Sequence, residues 1–176
     1  MLGGIRSGKS QWAERLVTDS VHAGDPVRYV ATGPSDDTDG SWPARVAAHR
    51  QRRPAGWLTV ETADVATVLR KDATTATLVD DVGGWLTAML DRRDAWVTGS
   101  VCADTDELLS AISDFGAPLV MVSPEVGLAV VPATASGRRF TDELGALNQR
   151  LAGVCERVVL VVAGQPVMVK ETDDDQ

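Results

Sequence analysis

The stretch Gly3-Gly4-Ile5-Arg6-Ser7-Gly8-Lys9-Ser10 decides the fold. It fits the pattern GxxxxGK[ST], and each fixed position has a chemical reason. Gly3 and Gly8 allow backbone angles and close approach that a Cβ would obstruct, so successive amide N–H groups can encircle a phosphate. Lys9 brings a cation to the outer phosphates, Ser10 offers a hydroxyl to Mg²⁺, and the helix that follows adds its positive dipole end. Trp12, Ala13, Leu16 and Val17 repeat at helical spacing immediately afterwards, as this reading requires. A loop of this kind follows a buried strand, yet only Met1 and Leu2 precede Gly3. The sequence therefore predicts a first strand that is truncated.

Outward from that loop, apolar β-branched runs alternate with helix-period segments. The runs are Val27–Ala31 and residues 58–61, 77–82, 119–123 and 158–163. Several are almost continuously hydrophobic, as parallel strands covered on both faces are. A last run, 167–170, follows Gly164-Gln165-Pro166 so closely that a hairpin partner is expected. Asp104 and Glu107 read as a capping pair opening a helix through Ile112. The clearest helix covers about 137–154, with Phe140, Leu144, Leu147, Leu151 and Val154 in one stripe. The expected architecture is one α/β domain over 1–176 with a mainly parallel sheet and an antiparallel C-terminal hairpin strand.

Composition narrows the function. The chain has 176 residues, with 17 basic and 25 acidic side chains and a formal charge of −8, so no global basic footprint for nucleic acid exists. No apolar run is long enough for a membrane span, and no signal-peptide pattern opens the chain. Cys102 and Cys155 form no metal-binding spacing, which favours a reduced, cytoplasmic setting. The segments 33–43 and 124–136 are the loops long enough to suspect of function.

Four further groups carry chemistry. The 77–81 run ends in Asp80 and Asp81, and an acidic residue at such a strand end beside a phosphate loop holds Mg²⁺ or polarises the attacking group. Strand alternation sends the two carboxylates to opposite faces, and Gly83-Gly84 after them gives either room for a ligand or a turn. Arg45, His49, Arg52 and Arg53 form a cationic helical stripe, joined by Arg50, against the net negative charge. His49 suits a general base, a phosphate ligand or a nucleophile at phosphorus, whereas His22 reads as incidental. Asp142 and Gln149 line the polar side of the 137–154 helix, with Gly145 between them pointing to close approach of a neighbour, either another helix or another subunit. Glu125-Val126-Gly127 follows a strand at the sheet's carboxyl edge, where ligands of α/β proteins gather.

Taken together, GGIRSGKS (3–10), YVAT (29–32), HRQRRPAGW (49–57), VET (60–62), LVDD (78–81), EVGLAVVP (125–132), RRFTDELGALNQRLA (138–152) and VVLVVAGQPVMVK (158–170) keep one order over nearly the whole chain. They resemble the bifunctional adenosylcobinamide kinase / adenosylcobinamide-phosphate guanylyltransferase family of cobalamin biosynthesis. The resemblance implies a RecA-like P-loop NTPase fold and two reactions. One phosphorylates adenosylcobinamide with ATP or GTP. The other transfers GMP from GTP to that phosphate through a guanylylated histidine, matching His49. It also implies nucleotide contacts from Gly3, Gly4, Ile5, Arg6, Ser7, Gly8, Lys9, Ser10, Thr32, Gly33, Arg50, Gln51, Arg52, Arg53, Glu61 and Asp80. Lys9 and Asp80 are then catalytic, Mg²⁺ sits on Ser10 and Asp80, and the chain forms a homo-oligomer, commonly a trimer. Pro124 and Ala129 depart from the family pattern, which often has a polar residue and a glycine there. Two other readings stand beside this one: another small-molecule P-loop kinase, or a truncated nucleotide-binding relative without activity. A GTPase switch is disfavoured by the lack of an NKxD-type motif.

Overall fold

The computed structural model describes residues 1–33 and 56–172. Among them, seven strands form one sheet in the order β3-β2-β4-β5-β1-β6-β7. The strands are β1 (Leu2–Gly3), β2 (Val27–Ala31), β3 (Trp57–Glu61), β4 (Ala76–Asp80), β5 (Leu119–Pro124), β6 (Arg157–Val162) and β7 (Gln165–Glu171). Every pairing is parallel except β6 with β7, which are antiparallel as the short Gly164 connection requires. The described helices are α1 (Lys9–Asp19), α2 (Val65–Lys71), α3 (Val82–Arg92), α4 (Cys102–Ser113) and α5 (Ala135–Val154). This alternation is the α/β phosphate-loop NTPase type of architecture.

Strand parity sorts the core. Val27 and Tyr29 of β2, Ala76 and Leu78 of β4, and Val120 and Val122 of β5 pack with Ala13 and Val17 of α1. The alternate residues Val30, Val79 and Met121 face the other way, into α2, α3, α4 and α5 through Leu69, Trp85, Leu86, Leu108, Leu144 and Leu147. Both faces are therefore dry, which explains the unbroken apolar runs. Arg28 has the parity of the second face and is buried there, where its guanidinium donates to Val68 O (3.2 Å), to Asp72 O (3.1 Å) and to the Asp72 carboxylate. Hydrogen bonds from Thr75 and Thr74, and then the Arg28 charge, hold the Asp72 carboxyl well below the ordinary range.

The expected short first strand is the two-residue β1, which lies between β5 and β6 and pairs with both. Several other expectations change. The 77–82 run stops at Asp80: Asp81 becomes the cap of α3, its carboxylate accepting from Gly84 N at 2.7 Å, and Val82 opens the helix. Gly83 and Gly84 are the first turn of α3, the turn alternative, and both are closely packed among the described residues. A Cβ on Gly83 would stand 2.9 Å from Pro124 Cγ, and one on Gly84 would stand 3.3 Å from the Gly33 backbone. Asp104 and Glu107 do not cap α4, which begins earlier, at Cys102. Instead Asp104 takes a two-pronged ion pair from Arg93 (3.0 and 2.8 Å), and Glu107 pairs with Arg70 at 2.6 Å. The helix expected over 137–154 starts two residues sooner, with Thr134 Oγ1 accepting from Gly137 N at 3.1 Å. Of its stripe, Leu144, Leu147 and Leu151 are buried, Phe140 packs at the margin against the same core, and Val154 is exposed. No described helix of this chain approaches Gly145: among the described residues, a Cβ there would meet nothing within 4 Å.

Candidate functional site at the carboxyl edge of the sheet

Because the sheet is parallel up to β6, the segments leaving its strands emerge on one edge. That edge gathers the glycine-rich loop after β1, Thr32 and Gly33 after β2, Glu61 at the end of β3, Asp80 and Asp81 at β4, and Glu125 after β5. Sequence separations of up to 122 residues thus collapse onto one rim.

The loop between β1 and α1 is built for an anion. Arg6 and Gly8 take positive φ (56° and 92°), which turns the chain back on itself. The first helical hydrogen bond of α1 runs from Trp12 N to Gly8 O at 3.1 Å, so the amides of Lys9, Ser10 and Gln11 precede the internal ladder. Gly3 lies under the loop: a Cβ there would stand 2.4 Å from Ser7 Oγ and 2.9 Å from Val161 O. Ser7 Oγ is buried without a hydrogen-bond partner among the described residues, a donor suited to an incoming phosphate oxygen. Lys9 Nζ donates to Gly4 O at 3.3 Å, which folds its side chain back along the loop.

Neighbouring strands brace this cradle. Gly164 N donates to Ser7 O, and Trp12 Nε1 donates to Gly164 O, both at 2.9 Å, so the β6–β7 turn clamps the loop. Glu125 N donates to Gly3 O at 3.0 Å, joining the segment after β5 to the start of the loop. Asn148, buried on α5, accepts from Ser123 Oγ at 2.6 Å and donates from Nδ2 to Pro124 O at 3.1 Å. Sequence reading did not single out Asn148, because its partners lie more than twenty residues away.

The two carboxylates at β4 play different parts. Asp80 shares the parity of Ala76 and Leu78, so it faces the α1 side, and its Oδ2 accepts from Tyr29 Oη at 2.7 Å. Asp81 turns away to cap α3. Burial pushes the Asp81 carboxyl above its ordinary range and the Asp80 charge adds to this, while the Gly84 amide and the Lys9 charge oppose it. Thr32 spans both: its N–H donates to Asp80 O at 3.2 Å and its hydroxyl to Asp81 O. Glu61 sits beside Ala31 in register, next to this corner. The donor set on the α1 side, a Ser10 hydroxyl and an Asp80 carboxylate, is hard oxygen and fits Mg²⁺, which usually keeps water and phosphate ligands as well. No cluster of three or more His, Cys, Asp or Glu that could hold a metal ion exists among the described residues.

His49, Arg50, Gln51, Arg52 and Arg53 lie outside the described residues, as does Arg45 with most of the 33–43 loop. His22 is exposed in a turn, where its N–H donates to the Asp25 carboxylate at 3.1 Å. Asp142 lines a hollow of about 130 Å³ with Val126, Val130 and Arg138, and Gln149 is exposed. Both cysteines are free thiols. No described helix is long and apolar enough to cross a membrane.

Fold and site together define a phosphate-loop nucleotide-binding protein. Residues 1–169 match the family described as cobinamide kinase / cobinamide phosphate guanyltransferase, and the chain belongs to that family. It is 40% identical over 173 residues to the bifunctional adenosylcobalamin biosynthesis protein CobP of Pseudomonas aeruginosa, covering 97% of this chain and 95% of the relative. Proteins named bifunctional adenosylcobalamin biosynthesis protein CobU are 36% identical in Escherichia coli and 35% identical in Salmonella typhimurium, each match covering 96% of this chain and 97% of the relative.

Proposed function

We propose that this chain phosphorylates adenosylcobinamide with ATP or GTP and then transfers GMP from GTP to the resulting phosphate, giving adenosyl-GDP-cobinamide. The observation that carries this reading is the placement of the phosphate loop, braced by Glu125 and Gly164, at the same sheet edge as Asp80. Family membership selects the acceptor. Mg²⁺, held by Ser10 and Asp80 when bound, neutralises phosphate charge.

In the kinase step, the aminopropanol hydroxyl of the acceptor attacks the γ-phosphorus, loses its proton, and displaces the nucleoside diphosphate. Residues 3–10 hold the phosphates through backbone amides, Ser7 Oγ and the Lys9 ammonium. In the transfer step, an imidazole nitrogen of His49 attacks the α-phosphorus of GTP and releases pyrophosphate. An oxygen of the acceptor phosphate then attacks the same phosphorus, and His49 leaves. Arg50, Arg52 and Arg53 offset charge on the transferring group; Gln51, Thr32, Gly33 and Glu61 contact the nucleotide. The working form is a cytoplasmic homo-oligomer, a trimer by analogy with the family.

The test is a labelling experiment with GTP carrying ³²P at the α-position. Wild-type chain takes up acid-labile label and His49→Ala does not. Unlabelled wild type, or undiminished label in the variant, overturns the covalent step.

A further inference from the structure

We propose that Tyr29 is a positioning residue for Asp80, fixing the orientation of that carboxylate toward the Mg²⁺-nucleotide. This rests on the role given to Asp80 above and adds the group that makes the role possible. The register places Tyr29 opposite Leu78, and Asp80 stands two residues further along the same face of β4. Such diagonal neighbours are too far apart for short side chains but within reach of an aromatic one. The phenol accordingly runs along the sheet toward its carboxyl edge and donates to Oδ2 of Asp80 at 2.7 Å.

The ring is well anchored. Tyr29 is 2% exposed, packs with Ala13 and Val17 of α1, and touches the Trp57 ring at 6.3 Å between centroids. Phenylalanine would fill this apolar site equally well, so packing alone gives no reason for the hydroxyl. A buried phenolic O–H needs an acceptor, and here that acceptor is the acidic group of the site. The residue that follows β2 also holds the Asp80 main chain, through Thr32 N to Asp80 O at 3.2 Å. Backbone and carboxylate of Asp80 are thus both held from one strand and the residue after it, and α1, which carries Lys9 and Ser10, covers that strand. The arrangement sets the carboxylate before the nucleotide arrives, so no ordering cost falls on binding.

The test measures GTP affinity at equilibrium, with Mg²⁺ and with EDTA, for wild type, Tyr29→Phe, Asp80→Asn and the double variant. Tyr29→Phe keeps the ring, so its EDTA affinity stays within about twofold of wild type, as expected where only a buried hydroxyl is lost. Its affinity with Mg²⁺ falls roughly ten- to a hundredfold, the range expected when a charge-assisted hydrogen bond is removed. In the Asp80→Asn background the same substitution has no further effect. A loss equal with and without Mg²⁺, or one that persists in the Asp80→Asn background, shows a merely structural tyrosine and overturns the inference. Asp80→Asn weakened with Tyr29→Phe unchanged overturns it alone. Asp80→Asn with wild-type Mg²⁺ dependence overturns the role of Asp80 itself, and this inference with it.

Discussion

Gly3→Ala tests whether the cradle depends on contact beneath the loop. The new Cβ would stand 2.4 Å from Ser7 Oγ and 2.9 Å from Val161 O. Ser7 can rotate, but Val161 O belongs to a strand paired on one side with β1 and on the other with β7. Either β6 or the start of the loop must therefore shift by several tenths of an ångström, and overpacking of this kind costs about 1–3 kcal/mol. For a chain of this size, 1 kcal/mol corresponds to about 2–4 °C in Tm, so a cost near 2 kcal/mol lowers it by about 4–8 °C. Displacing Ser7 also misplaces the phosphate contacts, with an expected loss of about tenfold or more in GTP affinity. Gly4→Ala is the internal control for stability, since a Cβ there meets nothing within 4 Å and the cost stays within about 0.5 kcal/mol. Thermal melting by circular dichroism reads the stability of both variants, and GTP titration reads the affinity of Gly3→Ala. If Gly3→Ala melts and binds like wild type, or the two variants lose the same Tm, the reasoning is refuted.

Two other predictions follow from buried polar groups. The folded chain holds the Asp81 proton more tightly than the unfolded chain, in which the carboxyl titrates near 3.8. Asp81 therefore contributes stability that is full below that value and is lost as pH rises through the raised native one. Asp81→Asn keeps an oxygen for Gly84 N, so denaturant titration should find it gaining on wild type as pH rises above about 4; a constant difference contradicts the account. Asn148→Leu strips partners from buried Ser123 Oγ and from Pro124 O, and urea unfolding should show a loss of about 1–3 kcal/mol. A change below about 0.5 kcal/mol would mean that this pair does not secure the end of β5.

The sheet was legible because its strands are covered on both faces, which writes them into the sequence as unbroken apolar runs. The phosphate loop was legible because its backbone angles and close contacts need glycine at Gly3 and Gly8. What escaped depends on distant partners. Asp104 and Glu107 have the spacing of a cap, yet Arg93 and Arg70 claim them. Gly83-Gly84 looked like a gap because neither Pro124 nor Gly33, the neighbours that fill the space, is near in sequence. Helices α2 and α3 left little trace: the first is seven residues long, and the second begins directly at the cap after β4. Strand alternation does not describe the Asp80–Asp81 pair, because Asp81 leaves the strand to cap α3, and the Tyr29 hydroxyl on Asp80 emerges only once β2 and β4 are in register.

The central claim concerns chemistry on a corrinoid acceptor, and one measurement addresses it directly. Wild-type chain is incubated with adenosylcobinamide, GTP and Mg²⁺, and the products are separated and weighed by mass spectrometry. The account predicts adenosylcobinamide phosphate, then adenosyl-GDP-cobinamide with release of pyrophosphate, both lost in Lys9→Ala. A folded chain that binds GTP yet forms neither product would contradict it.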